Sequence, residues 1–315
     1  MKSMLKKLVL TAAVIASPLM VSAQESDKLT YVLVSHAPDS DSWWNTIKNG
    51  IALAGEQMGV TVEYRNPPTG DLADMARIIE QAAASQPDGI ITTLADFDVL
   101  SGPVRAAVDQ GIDVIIINSG TAEQARDVGA LMFVGQPEYD AGLAAGLRAK
   151  GDGVKSFVCV NHVISNAVVS ERCRGFADGL GIDLGSSMID VGQDPAEIKN
   201  RVIAYLTANP ETDAILTLGP TSADPTILAV QEMGIAGDIY FGTFDLGTEI
   251  VKAIKDGTIK WGIDQQPFLQ AYLPVVILAN YDRYGVLPGN NINSGPGFVT
   301  ADALTKVEEF AGEYR

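Results

Sequence analysis

The feature that most constrains the fold is an alternation of apolar, strand-like runs with amphipathic segments, which starts near residue 29. Residues 114–117 are four consecutive β-branched side chains, a pattern that suits a strand buried on both faces of a parallel sheet. Residues 44–58 carry apolar side chains at helical spacing. Strand and helix patterns that alternate in this way predict a doubly wound α/β fold.

The alternation runs through the chain twice, which predicts two lobes. Strands are expected at 30–35, 60–64, 90–94 and 113–118, and then at 156–161, 187–192, 214–218, 239–244 and 259–264. About 290 residues remain after the N-terminal leader described below, and a single hydrophobic core rarely grows beyond that size. We therefore expect two doubly wound parallel-sheet lobes that face each other across a cleft.

The lobes must be joined by short crossings, since no low-complexity linker separates them. We place these crossings near Gly135 and Gln266. The predicted N-terminal lobe comprises residues 24–134 and 266–290, and the predicted C-terminal lobe comprises residues 135–265 and 291–315. A short hinge with several crossings leaves two such lobes free to close around a ligand.

The first 23 residues are typical of a cleaved export signal. Lys2, Lys6 and Lys7 precede a short apolar core at 8–15, and small residues lead to Ala23, the expected cleavage site. This apolar core is too short to span a bilayer. We therefore expect an exported protein that is cut after Ala23.

The chain is strongly acidic. Its net charge of −17 becomes −20 once the three lysines of the leader are removed. A surface of this charge repels phosphate backbones and anionic lipids. Neither a nucleic acid nor a membrane surface is therefore an expected partner.

Two cysteines are present, Cys159 in a predicted strand and Cys173 in the helix that follows. In an oxidising compartment an even number of cysteines indicates a disulfide. The alternative is a pair of buried free thiols. No histidine is assignable as a base for either cysteine, so neither is predicted to be catalytic.

Motifs of catalysis are missing from the sequence. It has no G-x-x-x-x-G-K-[ST], no G-x-S-x-G and no H-E-x-x-H. Its two histidines, His36 and His162, fall in strand-end loops of opposite lobes without a third metal ligand at a clear spacing. The sequence therefore predicts no enzyme, no cofactor and no metal site, although one of the histidines could bind a ligand by a hydrogen bond.

Ligands of open α/β sheets bind beyond the carboxyl ends of the strands, which selects the strand-end loops of both lobes. Trp43 and Trp44 follow the first strand, and aromatic rings pack against the C–H faces of sugars and other polyols. Trp44 shares the apolar stripe of its helix and is equally consistent with a core position, whereas Trp43 lies off that stripe. The predicted ligand-binding residues are His36, Asp41, Trp43, Trp44, Asn118, Ser119, Gln136, Asn161, Asn166, Ser170, Asp245 and Gln265.

The charged residues of these loops indicate which charge the ligand can carry. Carboxylates such as Asp41 and Asp245 outnumber basic side chains, of which only Arg172 is near. An anionic ligand is disfavoured by this balance, and a neutral polyol or a cation fits better.

Several segments spread over the mature chain form a characteristic set. They are residues 42–44, 86–91, 114–118, 171–176, 209–216, 243–245 and 264–265. Together they resemble the ribose- and galactose-type periplasmic binding proteins that serve ABC importers. The resemblance covers essentially the whole mature chain and implies the type I periplasmic binding protein fold.

The resemblance also implies a function. In that family an aromatic pair and strand-end polar residues bind a monosaccharide, and the lobes close over it. A periplasmic monomer that captures a neutral monosaccharide or sugar-like polyol and delivers it to a membrane permease is therefore expected. By the same likeness, Trp43 and Trp44 stack the sugar ring. Asp245 accepts hydroxyl hydrogens, and Gln265 bonds the ligand beside the hinge.

Departures from the family pattern leave the ligand open. Asn118 and Ser119 stand where ribose-type members carry Asp-Arg, and Ser170 stands where they carry an arginine. Gly219 and Pro220 replace an Asn-Asp pair. A furanose, a deoxysugar, a small polyol or a sugar-like quorum signal is therefore as consistent with the sequence as an ordinary aldopyranose.

Other functions are compatible with the same fold. The main alternative is a sensor that presents its closed form to a chemoreceptor or a kinase ectodomain. A repressor of the lactose-repressor type would need an N-terminal helix-turn-helix, and an export signal stands in that place. An enzyme built on two α/β lobes is the remaining class.

Overall fold

The computed structural model of the chain describes residues 28–315, so the predicted leader and its cleavage site lie outside the described residues. The first lobe begins with a run of strands and helices that alternate strictly. In chain order they are β1 (Thr30–Val34), α1 (Trp44–Met58), β2 (Thr61–Arg65), α2 (Leu72–Ala84), β3 (Gly89–Thr92), α3 (Phe97–Asp109), β4 (Asp113–Ile117), α4 (Ala122–Asp127) and β5 (Met132–Gly135).

The second lobe repeats the pattern. In chain order its elements are α5 (Glu138–Gly151), β6 (Phe157–Asn161), α6 (Ala167–Leu180), β7 (Met188–Asp190), α7 (Pro195–Ala208), β8 (Ala214–Thr217), α8 (Pro220–Glu232), β9 (Tyr240–Phe244), α9 (Thr248–Lys255) and β10 (Trp261–Asp264). The chain then returns to the first lobe through α10 (Pro267–Tyr284), which packs on α1. The last elements are β11 (Ile292–Asn293), β12 (Gly297–Val299) and α11 (Thr305–Phe310).

Each lobe is built around one six-stranded sheet. The first sheet has the order β2-β1-β3-β4-β5-β11 and the second has the order β7-β6-β8-β9-β10-β12. All neighbouring strands are parallel except β12, which pairs antiparallel with β10. Two doubly wound parallel-sheet lobes, as expected from the sequence, are therefore confirmed.

Apolar side chains cover both faces of each sheet. In β1, Tyr31 and Leu33 face one apolar cluster while Val32 and Val34 face another. The second sheet is likewise covered by two clusters, with Val158 on one side and Cys159 on the other. Burial on both faces explains why the strands are continuous apolar runs rather than alternating ones.

Within residues 28–315 the chain passes between the lobes three times, at residues 136–137, 265–266 and 294–296. The first two of these crossings lie beside Gly135 and Gln266. The third lies later than the predicted boundary between residues 290 and 291. β11 still belongs to the first sheet, because Ile292 pairs with Val134 and the Asn291 side chain accepts a hydrogen bond of 2.7 Å from the amide of Phe133.

Two short strands, β5 and β11, were absent from the sequence-based prediction. At the end of the chain, β12 joins the second sheet and α11 packs on α9.

Helices α5 and α6 pack with their backbones in direct contact. A Cβ at Gly142 would overlap the carbonyl oxygen of Arg172, and a Cβ at Gly175 would overlap the carbonyl oxygen of Tyr139. Cys159 of β6 is bonded to Cys173 of α6, with a Cα–Cα distance of 5.9 Å. Glycine contacts on one side and the disulfide on the other fix α6, which carries Arg172 towards the cleft.

Candidate ligand-binding site between the lobes

A cavity of about 590 Å³ lies between the two lobes at the carboxyl ends of their strands. This volume is within the usual range for small-molecule sites. Both lobes and the second crossing contribute to its lining. The lining includes His36, Asp41, Trp43, Trp44 and Asn118 from the first lobe, His162, Arg172, Leu218, Asp224 and Asp245 from the second lobe, and Gln265 from the second crossing.

Aromatic rings form the wall contributed by the first lobe. Trp43 and Trp44 lie edge to face, with ring centroids 5.2 Å apart, and His36 packs its ring against Trp44 at 5.3 Å. Both tryptophans line the cavity and both belong to the apolar core cluster of the lobe. Trp43 is the N-cap residue of α1, so the helical periodicity that placed it off the core stripe does not determine the direction of its side chain.

Amide and carboxylate groups form the floor beside the hinge. Asn118 Nδ2 donates to Gln265 Oε1 and to Gln270 Oε1, at 3.1 Å in each case. Gln265 Nε2 donates to Asp245 Oδ1 at 2.5 Å. These side chains are buried, and the bonds link the first lobe, the second crossing and the second lobe.

The backbone at this floor is unusual. Asn118, Asp245 and Gln266 have positive φ values of 58°, 64° and 56°. Non-glycine residues adopt this left-handed conformation only where the surrounding structure holds them there, although Asn and Asp tolerate it better than others. Asn118 directly follows β4, and Asp245 directly follows β9. The turn after each strand brings these two residues into the cavity floor.

Arg172 is the basic group of the floor, and most of its donors are already used within the protein. Its Nε and Nη2 donate to the two oxygens of Glu138 at 2.6 and 2.7 Å. Its Nη1 donates to the carbonyl of Leu218 at 2.8 Å and to Asp245 Oδ2 at 3.5 Å. Its guanidinium also lies over the ring of Phe244.

Burial raises the pKa of Asp245 to about 7, although the charge of Arg172 and the hydrogen bond from Gln265 act in the opposite direction. The negative charges of Glu138 and Asp41 raise this pKa further. Burial also raises the pKa of the Asp41 carboxyl. Burial therefore favours the neutral form of both of these lining carboxyls.

Burial lowers the pKa of His36 and of His162 to about 4, so both rings are neutral at neutral pH. His36 Nδ1 lies 3.0 Å from Thr93 Oγ1. His162 Nδ1 is buried without a hydrogen-bond partner among the described residues. Within residues 28–315, no three His, Cys, Asp or Glu side chains are grouped as a metal site.

Seven of the twelve residues that were predicted to bind a ligand line the cavity. They are His36, Asp41, Trp43, Trp44, Asn118, Asp245 and Gln265. The other five lie outside its lining: Ser119, Gln136, Asn161, Asn166 and Ser170.

These five residues bond within the protein. Ser119 accepts a hydrogen bond from Asn166, and Asn161 donates one to Ser170 Oγ at 3.1 Å. Gln136 donates to Glu138 Oε2 at 2.8 Å.

Three charged or ionisable residues of the lining, His162, Arg172 and Asp224, were not among the predicted ligand-binding residues. Two of them could have been found from the sequence: His162 directly follows the strand β6, and Arg172 is the basic residue near the predicted site. Asp224 lies on α8, and its place in the lining follows from the way that α8 faces the cleft.

Comparison with known proteins decides the family, because residues 31–283 match the periplasmic binding protein domain. The chain belongs to that family. This confirms the resemblance seen in the sequence, and the family comprises binding proteins. No helix within residues 28–315 is long and apolar enough to cross a membrane.

Among solved structures, a carbohydrate transporter of Acidothermus cellulolyticus in complex with myo-inositol is similar over 91% of this chain and 99% of its own. The two share 32% of their residues and superpose with a TM-score of 0.85. Two curated relatives are the xylose/arabinose-binding protein XylF of Sulfolobus acidocaldarius and a D-ribose/D-allose-binding protein of Pseudomonas aeruginosa.

The first curated relative is 23% identical over 80% of this chain, and the second is 29% identical over 64% of it. The matches cover 66% and 65% of the relatives, so the chain spans about two thirds of the length of each.

Proposed function

We propose that this protein captures a neutral monosaccharide or cyclic polyol by closing its two lobes around it, and that it delivers the ligand to an ABC permease. One observation carries the proposal: a single cavity between the lobes is lined both by the Trp43–Trp44 rings and by the polar side chains Asn118, Asp245 and Gln265. Aromatic faces pack on the C–H face of a sugar ring, and amide and carboxylate groups bond its hydroxyls.

The charge of the cavity supports a neutral rather than an anionic ligand. Asp41, Asp224 and Asp245 all line it. Arg172 is neutralised by Glu138, so its charge does not offset these carboxylates. Lys199, the other cationic residue in the lining, is paired with Glu232 at 2.7 Å. A carboxylate or phosphate on the ligand would therefore meet acidic groups in a lining whose cationic side chains, Arg172 and Lys199, are already paired.

The relatives narrow the panel of candidate ligands. The Acidothermus structure holds myo-inositol, and the curated relatives are named for xylose, arabinose, ribose and allose. All of these compounds are uncharged rings or sugars, which agrees with the charge of the cavity. We propose that the ligand of this chain belongs to the same class.

Location and partners follow from the same proposal. The lysine-rich leader and its cleavage after Ala23 would place a monomeric binding protein in the periplasm, where it meets a membrane permease. The alternative of a chemoreceptor or kinase partner uses the same closed form. A strain that lacks the gene separates the two, because an importer supports growth on the ligand while a sensor supports only the response to it.

The direct test is a thermal-shift panel on mature protein with myo-inositol, D-xylose, L-arabinose, D-ribose and D-allose. A ligand that binds the folded state raises the melting temperature, by an amount that grows with its concentration. Small-angle scattering with the best ligand then measures closure as a fall in the radius of gyration. A panel without any shift overturns the proposed ligand class, and a bound ligand without a fall in the radius overturns closure.

A further inference from the structure

Four hydrogen bonds run head to tail from one lobe to the other and back. Asn166 Nδ2 donates to Ser119 Oγ at 2.9 Å, and Ser119 Oγ donates to Asn118 Oδ1 at 3.1 Å. Asn118 Nδ2 then donates to Gln265 Oε1 at 3.1 Å. Gln265 Nε2 donates to Asp245 Oδ1, which closes the series in the second lobe.

The bond between Ser119 and Asn166 crosses the cleft. Ser119 follows β4 in the first lobe, and Asn166 is the N-cap residue of α6 in the second. The two residues are 47 positions apart in sequence and lie on opposite sides of the first crossing. Because each is fixed to its own lobe, the bond forms only while the lobes are together.

Neither residue of this bond lines the cavity, and each is almost completely buried, with exposures of 3% for Ser119 and 1% for Asn166. Their orientations are set by other bonds. Asn166 Oδ1 accepts from the amide of Val169 at 3.3 Å, which turns its Nδ2 towards Ser119. The Ser119 hydroxyl hydrogen is used by Asn118, which leaves an oxygen lone pair for Asn166.

We propose that Ser119 and Asn166 form a closure latch, a contact that stabilises the closed form without touching the ligand. The inference rests on the proposed function, since it concerns the closure of the same site. The remaining bonds connect the latch to Asn118, Gln265 and Asp245 on the cavity floor, so a ligand that orders the floor also supports the latch.

The latch has a consequence that a ligand contact lacks. A protein that binds in its closed form has an apparent affinity proportional to the closed fraction, whatever the ligand. Loss of one neutral hydrogen bond is expected to shift the balance between closed and open forms by about 2- to 10-fold. The affinities for different ligands should therefore fall by the same factor.

Two variants remove the bond between Ser119 and Asn166, and Ser119→Ala also removes the bond that the same hydroxyl donates to Asn118. Ser119→Ala deletes the acceptor, and Asn166→Ser shortens the donor while it keeps a residue that can cap α6. Ser170→Ala is the matched control. It removes a hydroxyl of the same neighbourhood whose bonds, to Asn161 and to the carbonyl of Asn166, stay within the second lobe.

The first measurement is small-angle scattering of the ligand-free proteins. Ser119→Ala and Asn166→Ser should have a larger mean radius of gyration than the wild type, while Ser170→Ala should not. The double variant Ser119→Ala/Asn166→Ser should be no more open than either single variant, because the second change finds no bond left to remove. Ligand-free curves of both single variants that superpose on the wild type overturn the latch.

The second measurement is calorimetric titration with myo-inositol and with D-xylose. The latch predicts that both affinities fall by the same factor in Ser119→Ala. A fall for one of these ligands alone overturns the latch and makes Ser119 a ligand contact. Absence of binding by both compounds in the wild type counts against the proposed ligand class, while the ligand-free scattering still decides the latch.

Discussion

Glu138 and Arg172 form a two-pronged ion pair in the interior of the second lobe, where their side chains are only 3% and 4% exposed. Glu138 begins α5 directly after the first crossing, and Arg172 reaches the cavity from α6. Close packing of these two helices through Gly142 and Gly175 sets the distance between the charges. The pair therefore ties the start of the second lobe to the cavity wall.

Replacement of Glu138 by Gln should destabilise the protein by about 3–5 kcal/mol, because it removes the carboxylate that pairs with the buried Arg172 charge and leaves Asp245, at 3.5 Å, as the nearest negative group. Urea unfolding measures the free energy. The control is Glu308→Gln, which breaks the exposed pair with Lys255 and should cost less than about 1 kcal/mol. Equal losses for the two variants would contradict the structural role of the buried pair.

Cys159 and Cys173 should be resistant to alkylation in the folded protein, because their bond is completely buried between β6 and α6. Mass spectrometry of folded protein purified without reductant, compared with a reduced sample, measures the number of free thiols. The double variant Cys159→Ala/Cys173→Ala should lose about 3 kcal/mol of unfolding free energy, the usual effect for a loop of this length. Two alkylated cysteines in folded, unreduced protein would rule out the bond.

Much of the fold could be predicted because it follows from local patterns. Runs such as residues 114–117 are β-branched throughout, which identifies a doubly buried strand without any tertiary information. The strands β5 and β11 are short and carry little of that signal. β11 forms because Ile292 finds Val134 at the edge of the first sheet, a contact between distant parts of the chain.

The candidate site was predictable to the same extent. The strand-end rule found Asn118 and Asp245, whose places depend on topology alone. It also selected Ser119 and Asn166, which bond to each other instead of lining the cavity. Which polar groups meet each other depends on how far the lobes have closed, and no sequence pattern encodes that distance.

Trp43→Ala should make the binding free energy of the ligand less favourable by about 1–3 kcal/mol, because it removes the aromatic surface on which a sugar ring packs. It should also lower stability by about 3 kcal/mol, since Trp43 belongs to the core of the first lobe as well as to the cavity. The position of Trp43 off the helical stripe would by itself predict no loss of stability, and its place in the core cluster is what changes that expectation. Calorimetric titration measures the affinity, and urea unfolding the stability.

The control for this variant is Trp261→Ala, because Trp261 is buried in the core of the second lobe and lies outside the cavity lining. Its loss should reduce stability without a change in affinity. An unchanged dissociation constant in Trp43→Ala would show that the ring at that position is purely structural.

An acidic ligand should bind more weakly than its neutral parent. The comparison uses the neutral sugar with the largest thermal shift and the uronic acid derived from it. Repulsion from Asp41 and Asp245 should cost about 2 kcal/mol above about pH 8, where Asp245 is ionised despite its raised pKa of about 7, on the scale of like charges several ångströms apart in a partly buried site. Equal affinities, measured by calorimetric titration at low salt, would contradict the charge argument.

Stability should depend on pH through Asp245. Its carboxyl ionises near pH 4 in the unfolded chain and near pH 7 in the folded one, since burial raises its pKa. Between those values the folded state holds the extra proton, so the contribution of Asp245 to stability falls as the pH rises. His36 and His162 act in the opposite direction. Burial lowers their pKa to about 4, so their contribution rises between about pH 4 and pH 6.5.

Because Asp245 and the two histidines act in opposite directions, the pH dependence of the wild-type unfolding free energy does not isolate the effect of Asp245. The prediction therefore concerns the difference in unfolding free energy between Asp245→Asn and the wild type. This variant keeps an oxygen that can accept from Gln265 but cannot ionise. Its stability relative to the wild type should increase between about pH 4 and pH 7, by up to about 4 kcal/mol at roughly 1.4 kcal/mol per pKa unit. Urea unfolding across this range measures the difference.

The matched control is Asp224→Asn, because burial raises the pKa of Asp224 to about 6 and Asp224 lies in the same cavity lining. Its relative stability should stop increasing at a lower pH than that of Asp245→Asn, and the total change should be smaller. A flat difference curve for Asp245→Asn would mean that the Asp245 carboxyl stays ionised in the folded protein. Arg172 would then outweigh burial, and the Asp245 carboxyl on the floor of the cavity would be ionised from about pH 4 upwards.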